Sequence, residues 1–286
     1  MKLSLLTSGA LTRGYCVLVP MYNEEANVEH CIRRIASVLA QTQPAGQFIV
    51  VDDGSRDSTA QILNRLLLEE RNLAVVTHRK NEGYGTALVT GIRAAAERSF
   101  GYVLFMDADL TTDPKYIPDF VEQMRADVDV IKATRYSAGG GMRGVPLHRV
   151  LISRLGNRVS RFLFRLPITD LTNGFRAVKT ALLVDIPFRE GGFAIIMEEL
   201  YHLSATAASY AEVPYVLTSR GAHQGASRFV YRPKVFLQYF KYALLSARRT
   251  AFGANPMRWR DDERSKKHRD GRRVQDVDRL PPLQGR

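Results

Sequence analysis

The chain has little cysteine and no long apolar run, and each shortage excludes a class of protein. Cys16 and Cys31 are its only cysteines, too few for a disulfide scaffold or a thiolate zinc site, which suits a reducing cytosol. No stretch approaches the roughly 18–20 uncharged apolar residues that cross a bilayer. We therefore expect a chain that is soluble and intracellular, or that rests on a membrane without entering it.

One long segment of this basic chain lacks acidic residues. The net charge is +12, and residues 101–130 carry seven acidic and two basic residues, whereas 131–176 carry one acidic and nine basic residues. No carboxylate occurs between Ile131 and Thr169. This pattern indicates a metal site beside a place where phosphates are held. Nucleic acid is the competing partner of a basic protein, but no DNA-binding or RNA-binding signature accompanies the charge, so we expect no nucleic acid.

Both common phosphate-binding loops are also missing. The chain has no GxxxxGK[ST] sequence, and Asn81–Gly85 is not GxGxxG. P-loop hydrolases and Rossmann dehydrogenases are therefore disfavoured. A nucleotide would have to be held by other means.

Apolar runs of strand length alternate with segments of helical period, which is typical of βαβ units and a mainly parallel sheet. The predicted strands are Tyr15–Pro20, Phe48–Asp52, Leu73–Thr77, Tyr102–Asp107 and Val128–Thr134. The predicted helices are Glu24–Leu39, Ser58–Leu68, Thr86–Arg98 and Tyr116–Met124. Ligands of such sheets bind at the carboxyl ends of the strands. The polar loops that follow these strands therefore predict a site for an elongated polar ligand such as a nucleotide.

The sharpest chemical feature is a pair of aspartates, Asp107 and Asp109, at the end of a predicted strand. Alternate residues of an extended chain point to the same side, so the two carboxylates can converge. Two anions brought that close need a cation between them. Mg²⁺ or Mn²⁺ fits, because these ions prefer carboxylate oxygens together with substrate phosphates. The alternative is two solvated aspartates before a turn.

Four short motifs follow one another in the first half of the chain. They are Pro20-x-Tyr-Asn-Glu24, Val51-Asp-Asp-Gly-Ser-x-Asp57, Asn81-x-Gly-x-Gly85 and Met106-Asp-Ala-Asp109. In this order they resemble family-2 inverting glycosyltransferases of the GT-A fold, and within that family the dolichol-phosphate or polyprenol-phosphate mannose synthases. The likeness extends over about residues 14–250 through Pro114-x-x-Ile-Pro118, Thr134-Arg-Tyr136, Asp170–Arg176, Gly192-Phe-x-Ile-x-Met-Glu198, Glu212-Val-Pro214 and Gly225-Ala-Ser-Arg228.

The resemblance implies an α/β fold in which a GT-A (Rossmann-like), mainly parallel sheet is flanked by helices, with C-terminal amphipathic helices. It implies one glycosyltransferase domain over 14–250. The nucleotide-binding part would span about 14–135 and the acceptor-side part about 136–250. We expect 1–13 and 251–286 to be tails, the second polar and disordered.

The resemblance also implies roles for individual residues. The donor's base and ribose would be held by Pro20, Tyr22, Glu24, Val51 and Asp53. The metal and the donor diphosphate would be held by Asp107, Ala108 and Asp109. The phosphates would be contacted by Arg220 and Arg228 on the donor and by Arg135, Arg149 and Ser153 on the acceptor. The chain departs from the family pattern at Thr111, where Gln is common, and at Arg228, where Lys is common.

The implied reaction moves a hexose, above all mannose from GDP-mannose, onto a polyprenyl or dolichyl phosphate at the cytoplasmic membrane face, with Mg²⁺ or Mn²⁺. Cations would stabilise the leaving nucleoside diphosphate. A lipid phosphate is already an anion and needs no strong general base, which agrees with the lack of histidine in every motif. An alcohol acceptor would need a carboxylate base. Asp170 is the candidate, and a plain turn before a strand at Phe175–Lys179 explains it equally well.

Two segments of the second half have the composition of helices that lie on a membrane. The first carries arginines at helical spacing beside an apolar stripe, namely Arg154, Arg158, Arg161 and Arg165 beside Leu151, Leu155, Val159 and Phe162. The second, Val235–Ser246, mixes aromatic residues with flanking lysine and arginine. Packing against the domain, with a basic face in solvent, explains both equally well. The main alternative function is a family-2 transferase with a soluble or peptide acceptor, while a nucleotidylyltransferase and a nucleotide-sugar-binding regulator are further rivals.

Overall fold

The structure is a computed structural model that describes residues 10–218 and 233–251. Most of the first predicted tail and nearly all of the second lie outside the described residues, as do Arg220 and Arg228. Residues Ala10–Arg13, which we expected to belong to the first tail, form a 3₁₀ helix. The backbone N–H of Ala10 donates to the Asp127 side chain at 3.2 Å, so this part of the chain is attached to the domain.

The described residues alternate between strands and helices along most of the chain. The strands are β1 (Tyr15–Met21), β2 (Gln47–Asp52), β3 (Leu73–Thr77), β4 (Tyr102–Phe105), β5 (Val130–Thr134), β6 (Gly141–Arg143), β7 (Arg176–Lys179), β8 (Tyr210–Pro214) and β9 (Val216–Thr218). The helices are α1 (Val28–Leu39), α2 (Thr59–Glu69), α3 (Tyr84–Glu97), α4 (Ile117–Arg125), α5 (Leu147–Phe164), α6 (Thr180–Val184), α7 (Ile195–Leu203) and α8 (Pro233–Ala251). None of the helices in these ranges is long and apolar enough to cross a membrane.

Seven of the strands form one sheet in the order β3-β2-β1-β4-β7-β5-β8. Every pair in it is parallel except the two made by β7, which runs antiparallel to β4 and β5. The predicted mainly parallel α/β fold is therefore confirmed. Because β7 is reversed, its amino end lies where the carboxyl ends of its neighbours lie. The loop before β7 thus reaches the edge of the sheet where ligands of this fold bind.

The core consists of two apolar layers, one on each face of the sheet. Val17 and Val19 of β1 point into the layer formed with α1, α2 and α4, whereas Cys16 and Leu18 point into the layer formed with α3, α6 and α7. This alternation is the period of two that a strand imposes. A strand covered on both faces is apolar at consecutive positions, which is why the sequence of β1 is so uniformly apolar.

Two predicted boundaries differ from the structure in ways that shape the site. Helix α1 begins at Val28 and not at Glu24, because the segment before it is a turn in which the Glu24 carbonyl accepts the N–H groups of Asn27 and Val28. Strand β4 ends at Phe105, so Asp107 and Asp109 lie beyond the sheet. The extended backbone that was expected to align these two carboxylates is therefore absent.

Candidate active site

A cavity of about 880 Å³ opens at the carboxyl ends of β1, β2 and β4. The predicted donor residues that line it are Pro20, Tyr22, Glu24, Asp53, Asp107, Ala108 and Asp109. The predicted acceptor residues that line it are Arg135, Arg149 and Ser153. Val51 and Asp170 do not line it, and both side chains are fully buried. The cavity thus brings together carboxylates from the loops after β1, β2 and β4 and two arginines from the carboxylate-poor segment 131–176.

Asp53 is held in a cradle of hydrogen bonds. Its Oδ1 accepts from His78 Nδ1 at 2.7 Å and from the Glu82 N–H at 2.8 Å, and its Oδ2 accepts from the Gly83 N–H at 2.8 Å. Burial opposes ionisation of this carboxyl, but the bonds from His78 and the two N–H groups hold its pKa below the usual range. Asp53 is therefore a fixed anion at the cavity wall.

Gly83 of the Asn81–Gly85 motif donates to Asp53 from a position that only glycine can occupy. Gly83 has a φ of +99°, and a Cβ there would lie 2.5 Å from the Gly191 carbonyl oxygen. The left-handed backbone and the close approach both exclude a side chain. His78, which belongs to none of the sequence motifs, is part of the same arrangement, with its Nε2 2.9 Å from Thr90 Oγ1. Because His78 is 25 residues from Asp53 in the sequence, no local pattern indicated that the two side chains meet.

Asp107 and Asp109 reach the cavity from a turn. Asp109 is buried, and its Oδ1 accepts from the N–H and the hydroxyl of Thr111 at 3.0 and 2.8 Å. The Tyr84 hydroxyl donates to Asp107 Oδ1 at 3.3 Å. The departure from the family pattern at Thr111 therefore has a local effect, because this side chain orients the second carboxylate.

The donor set of this turn fits a hard divalent cation. Carboxylate oxygens are the ligands that Mg²⁺ and Mn²⁺ prefer. Within residues 10–218 and 233–251, no group of three or more His, Cys, Asp or Glu side chains could hold a metal. An ion on Asp107 and Asp109 would hence take its other ligands from a bound diphosphate and from water, as is usual for Mg²⁺.

Arg135 and Asp170 form a buried bidentate ion pair. Arg135 Nε donates to Asp170 Oδ2 at 2.7 Å and Arg135 Nη2 donates to Asp170 Oδ1 at 2.8 Å. Burial alone would lower the pKa of Arg135, but the Asp170 carboxylate raises it above its usual value. The guanidinium lies at the cavity and is permanently charged, while the carboxylate lies behind it.

Helix α5 supplies the other predicted acceptor groups from one face. Arg149 and Ser153 are four residues apart and both line the cavity. Ser153 Oγ lies 2.7 Å from the Tyr136 hydroxyl, which fixes it beside the Arg135 segment. Three residues of the opposite face, Leu151, Leu155 and Phe162, are 56%, 66% and 79% exposed.

Two buried cations lie beneath the loop that precedes β7, and the sequence analysis missed both. Lys132 is fully buried and donates to the carbonyl oxygens of Leu171 and Asn173 at 3.2 and 2.6 Å. Burial lowers the pKa of its ammonium to about 7. Arg176 is also fully buried, and both of its bonds to Glu199 are 2.6 Å long. A Lys inside an apolar strand is a sequence signal that could have revealed the first.

An aromatic pair forms a further wall of the cavity and was also missed. The rings of Tyr84 and Phe193 stack with their centroids 4.5 Å apart, and both side chains line the cavity. Tyr84 belongs to α3 and Phe193 to the segment before α7. The pair therefore joins the Asn81–Gly85 motif to the glycine-rich segment around Gly191, a contact between regions that no sequence motif links.

Comparisons with known proteins agree with this geometry. The model of the family described as glycosyl transferase family 2 matches residues 16–197. Polyprenol monophosphomannose synthase of Mycolicibacterium smegmatis is 29% identical over 213 residues, which are 73% of this chain and 79% of that protein. Dolichol-phosphate mannosyltransferase of Pyrococcus furiosus is 29% identical over 230 residues, which are 79% of this chain and 61% of that protein. The chain thus spans less than two thirds of the second relative.

A similar solved structure supports the fold. Glucosyl-3-phosphoglycerate synthase from Mycobacterium tuberculosis, in complex with Mn²⁺, uridine diphosphate and phosphoglyceric acid, superposes with a TM-score of 0.58. It is 22% identical, and the match covers 83% of this chain and 80% of that one. The GT-A-like architecture predicted from the motifs is therefore confirmed. With most of its length matched by the family model, the chain belongs to glycosyl transferase family 2 and is a glycosyltransferase.

Proposed function

We propose that this enzyme transfers a hexose, mannose from GDP-mannose, onto a polyprenyl or dolichyl phosphate at the cytoplasmic face of a membrane. The observation that carries the proposal is the division of α5 into two faces. One face carries Arg149 and Ser153 into the cavity, and the other exposes Leu151, Leu155 and Phe162. An acceptor with a phosphate head and an apolar chain matches both faces, because the phosphate suits the polar face and a membrane that holds the chain suits the apolar face. The names of the two curated relatives support the choice of mannose and of a polyprenol or dolichol phosphate.

The donor would lie along the carboxyl ends of β1, β2 and β4. The Asp53 cradle offers a fixed carboxylate to a ribose or base edge, and Pro20, Tyr22 and Glu24 line the same wall. Val51, also predicted to hold the donor, would act only through its backbone, because its side chain is buried in β2. The predicted donor contacts of Arg220 and Arg228 fall outside the described residues.

The diphosphate of the donor would lie beside Asp107, Ala108 and Asp109. A bound Mg²⁺ or Mn²⁺ on these carboxylates would neutralise negative charge on the diphosphate. Asp109 is kept ready for this role by Thr111, and Asp107 by the Tyr84 hydroxyl. These bonds orient the carboxylates before any ligand arrives, which lowers the cost of binding.

The acceptor phosphate would lie between Arg135 and the α5 pair, Arg149 and Ser153. One of its oxygens attacks the anomeric carbon, the bond from that carbon to the diphosphate oxygen breaks, and the configuration at the carbon inverts. No proton has to leave the nucleophile. Asp170 has both oxygens bound to Arg135, so the geometry favours a role in orienting this guanidinium over a role as a general base.

The exposed face of α5 suits an anionic membrane surface. Its apolar side chains adjoin Arg154, Arg158 and Arg161 on the same helix. Each cation near an anionic surface contributes about 1 kcal/mol. Phe240 of α8 is part of the cavity lining and is 37% exposed, which connects the cavity with the outer surface. A lipid chain could leave the site along this route while its phosphate stays inside.

The test of donor and acceptor offers radiolabelled nucleotide sugars with polyprenyl phosphate and Mg²⁺ or Mn²⁺, and measures label that partitions into organic solvent. We expect one donor, GDP-mannose, to give a lipid product, and only with the acceptor present. A product that stays in water with a soluble acceptor would instead support the alternative of a soluble or peptide acceptor.

The membrane surface is tested separately by sedimentation with vesicles of phosphatidylglycerol and phosphatidylcholine. The variant Leu151→Ser, Leu155→Ser, Phe162→Ser should bind vesicles about tenfold or more weakly, because burial of each apolar side chain contributes about 1.5–3 kcal/mol. Leu68→Ser is the matched control, since this apolar residue is 88% exposed on α2. Equal binding by both variants would contradict the assignment of α5 as the membrane surface.

A further inference from the structure

The middle of α5 contains a buried asparagine. Asn157 is 2% exposed, although asparagine is a poor helix former and a buried amide costs free energy unless it is hydrogen-bonded. The helix could have buried an apolar residue here, as it does at Phe164. The contacts that Asn157 makes must therefore compensate for its burial.

Asn157 uses its complete hydrogen-bonding capacity. Its Nδ2 donates to the Ser153 carbonyl oxygen and to Thr172 Oγ1, both at 3.0 Å. Its Oδ1 accepts from the N–H groups of Leu171 and Thr172 at 2.8 and 3.2 Å. An amide offers two donors and two lone pairs, so every position is used. Three of the four bonds cross from α5 to the loop before β7.

That loop is the support of Arg135. Asp170 binds the Arg135 guanidinium through two bonds, and Thr172 Oγ1 accepts from Arg135 Nη2 at 3.4 Å. From the other side of the loop, Lys132 binds the carbonyl oxygen of Leu171. Leu171 is thus fixed at its N–H by Asn157 and at its carbonyl by Lys132.

The position of Asn157 along α5 gives this contact a further consequence. Arg149, Ser153 and Asn157 are spaced by four residues and so lie in one row of the helix. The first two line the cavity, and the third binds the loop that supports Arg135. Together with the contact between Ser153 and the Tyr136 hydroxyl, the bonds of Asn157 thereby set how far the row on α5 stands from the guanidinium.

We propose that Asn157 is the positioning residue that sets the distance between Arg135 and the α5 pair, and so the width of a subsite for the phosphate of the acceptor. The claim rests on the proposed function, because it assumes that the acceptor carries a phosphate between these groups. Asn157 itself does not touch the acceptor. It acts by holding two walls of the subsite together.

The test compares wild type with Asn157→Ala, with farnesyl phosphate as a short polyprenyl phosphate probe. Calorimetry in the presence of GDP and Mg²⁺ measures its affinity, and a separate titration measures the affinity for GDP. We expect the variant to bind farnesyl phosphate about tenfold more weakly, since three bonds between the walls are lost, and GDP within about twofold. Val159→Ala, at a half-buried position of the same helix outside the apolar cluster that contains Leu171, should change neither affinity.

Two readouts separate positioning from a general loss of structure. Hydrogen exchange should speed up at the Leu171 and Thr172 amides of Asn157→Ala and stay unchanged in the Asp53 cradle. The double variant with Arg135→Lys should bind farnesyl phosphate more tightly than the product of the two single effects predicts, because Asn157 acts through Arg135. Independent effects, or equal losses for farnesyl phosphate and GDP, would overturn the proposal.

The outcomes also distinguish this inference from the proposed function. If wild type does not bind farnesyl phosphate, the lipid phosphate acceptor is wrong and the subsite with it. If wild type binds it and Asn157→Ala binds it equally well, only the role of Asn157 is wrong. Should Asn157→Ala not fold, Thr172→Val removes the hydroxyl between Asn157 and Arg135 at almost constant volume. Because Thr172 also lines the cavity, a loss of farnesyl phosphate affinity in Thr172→Val would support the proposal only if it is not additive with the loss in Arg135→Lys, and an unchanged affinity or additive losses would overturn it.

Discussion

The donor side and the acceptor side of the cavity are built in different ways. On the donor side, backbone N–H groups fix the carboxylates, as in the bonds from the Thr111 N–H to Asp109 and from the Glu82 N–H to Asp53. On the acceptor side, charged side chains fix one another in buried ion pairs, Arg135 with Asp170 and Arg176 with Glu199. Backbone donors therefore hold the first side, and buried side-chain charges hold the second.

This difference predicts that single substitutions on the two sides impair different properties of the enzyme, activity alone on one side and stability as well on the other. A carboxylate that lines the cavity can be replaced by its amide with little loss of stability, because the amide oxygen still accepts from the same neighbours. Replacing one member of a fully buried ion pair costs much more stability, because its partner is left charged in a medium without water. Donor-side variants should accordingly lose activity and keep their fold, whereas acceptor-side variants should lose both.

The largest expected effect is on the donor side. Asp109→Asn should lower kcat by about 10²–10³-fold, because it removes a charged ligand of the expected cation where charge develops on the diphosphate. The midpoint of thermal unfolding should hardly change. Titration of Mn²⁺ followed by electron paramagnetic resonance, with GDP present, gives a readout besides activity. Asp113→Asn, an exposed acid of the same segment that pairs with Arg34, is the matched control. Unchanged Mn²⁺ affinity would contradict the assignment.

The next effect should be a loss of folding stability in variants of the acceptor side. Glu199→Gln leaves the Arg176 guanidinium buried without its counter-ion, so the free energy of unfolding should fall by about 3–5 kcal/mol. Urea denaturation measures it. Glu122→Gln, at an exposed pair with Arg125, should cost far less. Similar losses in the two variants would remove the distinction between the two sides.

A pH profile of stability sharpens the comparison further. Because burial lowers the pKa of Lys132 to about 7, the unfolded chain binds more protons than the folded one between pH 7 and about 10.4. The free energy of unfolding of wild type should therefore rise with pH relative to Lys132→Met, by at most about 1.4 kcal/mol per pH unit. Urea denaturation of both proteins at pH 7, 8, 9 and 10 tests this.

Four charged groups act on Lys132 and set the size of this rise. Glu199 and Asp170 favour its protonation, and Arg176 and Arg135 oppose it. Parallel pH profiles for wild type and Lys132→Met would show that the ammonium titrates as in the unfolded chain. The depressed pKa would then be wrong.

The smallest expected effect concerns the Asp53 cradle. His78→Leu removes one of three bonds to this carboxylate and should weaken GDP binding about fivefold, the equivalent of a bond worth about 1 kcal/mol. His78→Asn places an amide near the position of Nδ1 and should be closer to wild type. Calorimetry resolves the order of the three affinities. If both variants bind GDP as tightly as wild type, His78 does not support the donor site.

Where strand topology decides the position of a residue, the sequence predicted its place in the cavity, while its role stays a prediction. The carboxylates at Asp53, Asp107 and Asp109 follow their strands directly, so topology alone brings them to one edge. The expectation that an extended strand aligns the last two was wrong, since β4 ends at Phe105. The strand predicted at Phe175–Lys179 is present as β7, but its antiparallel insertion between β4 and β5 was not foreseen. Strand order depends on pairing between distant segments, which periodicity does not report.

The sequence by itself determined the alternation of strands and helices, the acidic loops at one edge, and the segment of α5 with its apolar and basic stripes. Those follow from residue type and spacing over a few neighbours. Only the tertiary structure decided that Asp170 binds Arg135, that His78 supports Asp53, and that Asn157 joins α5 to the loop before β7. Each of these depends on which distant segments become neighbours, and a buried charge or amide is stable only when the packed fold supplies its partner.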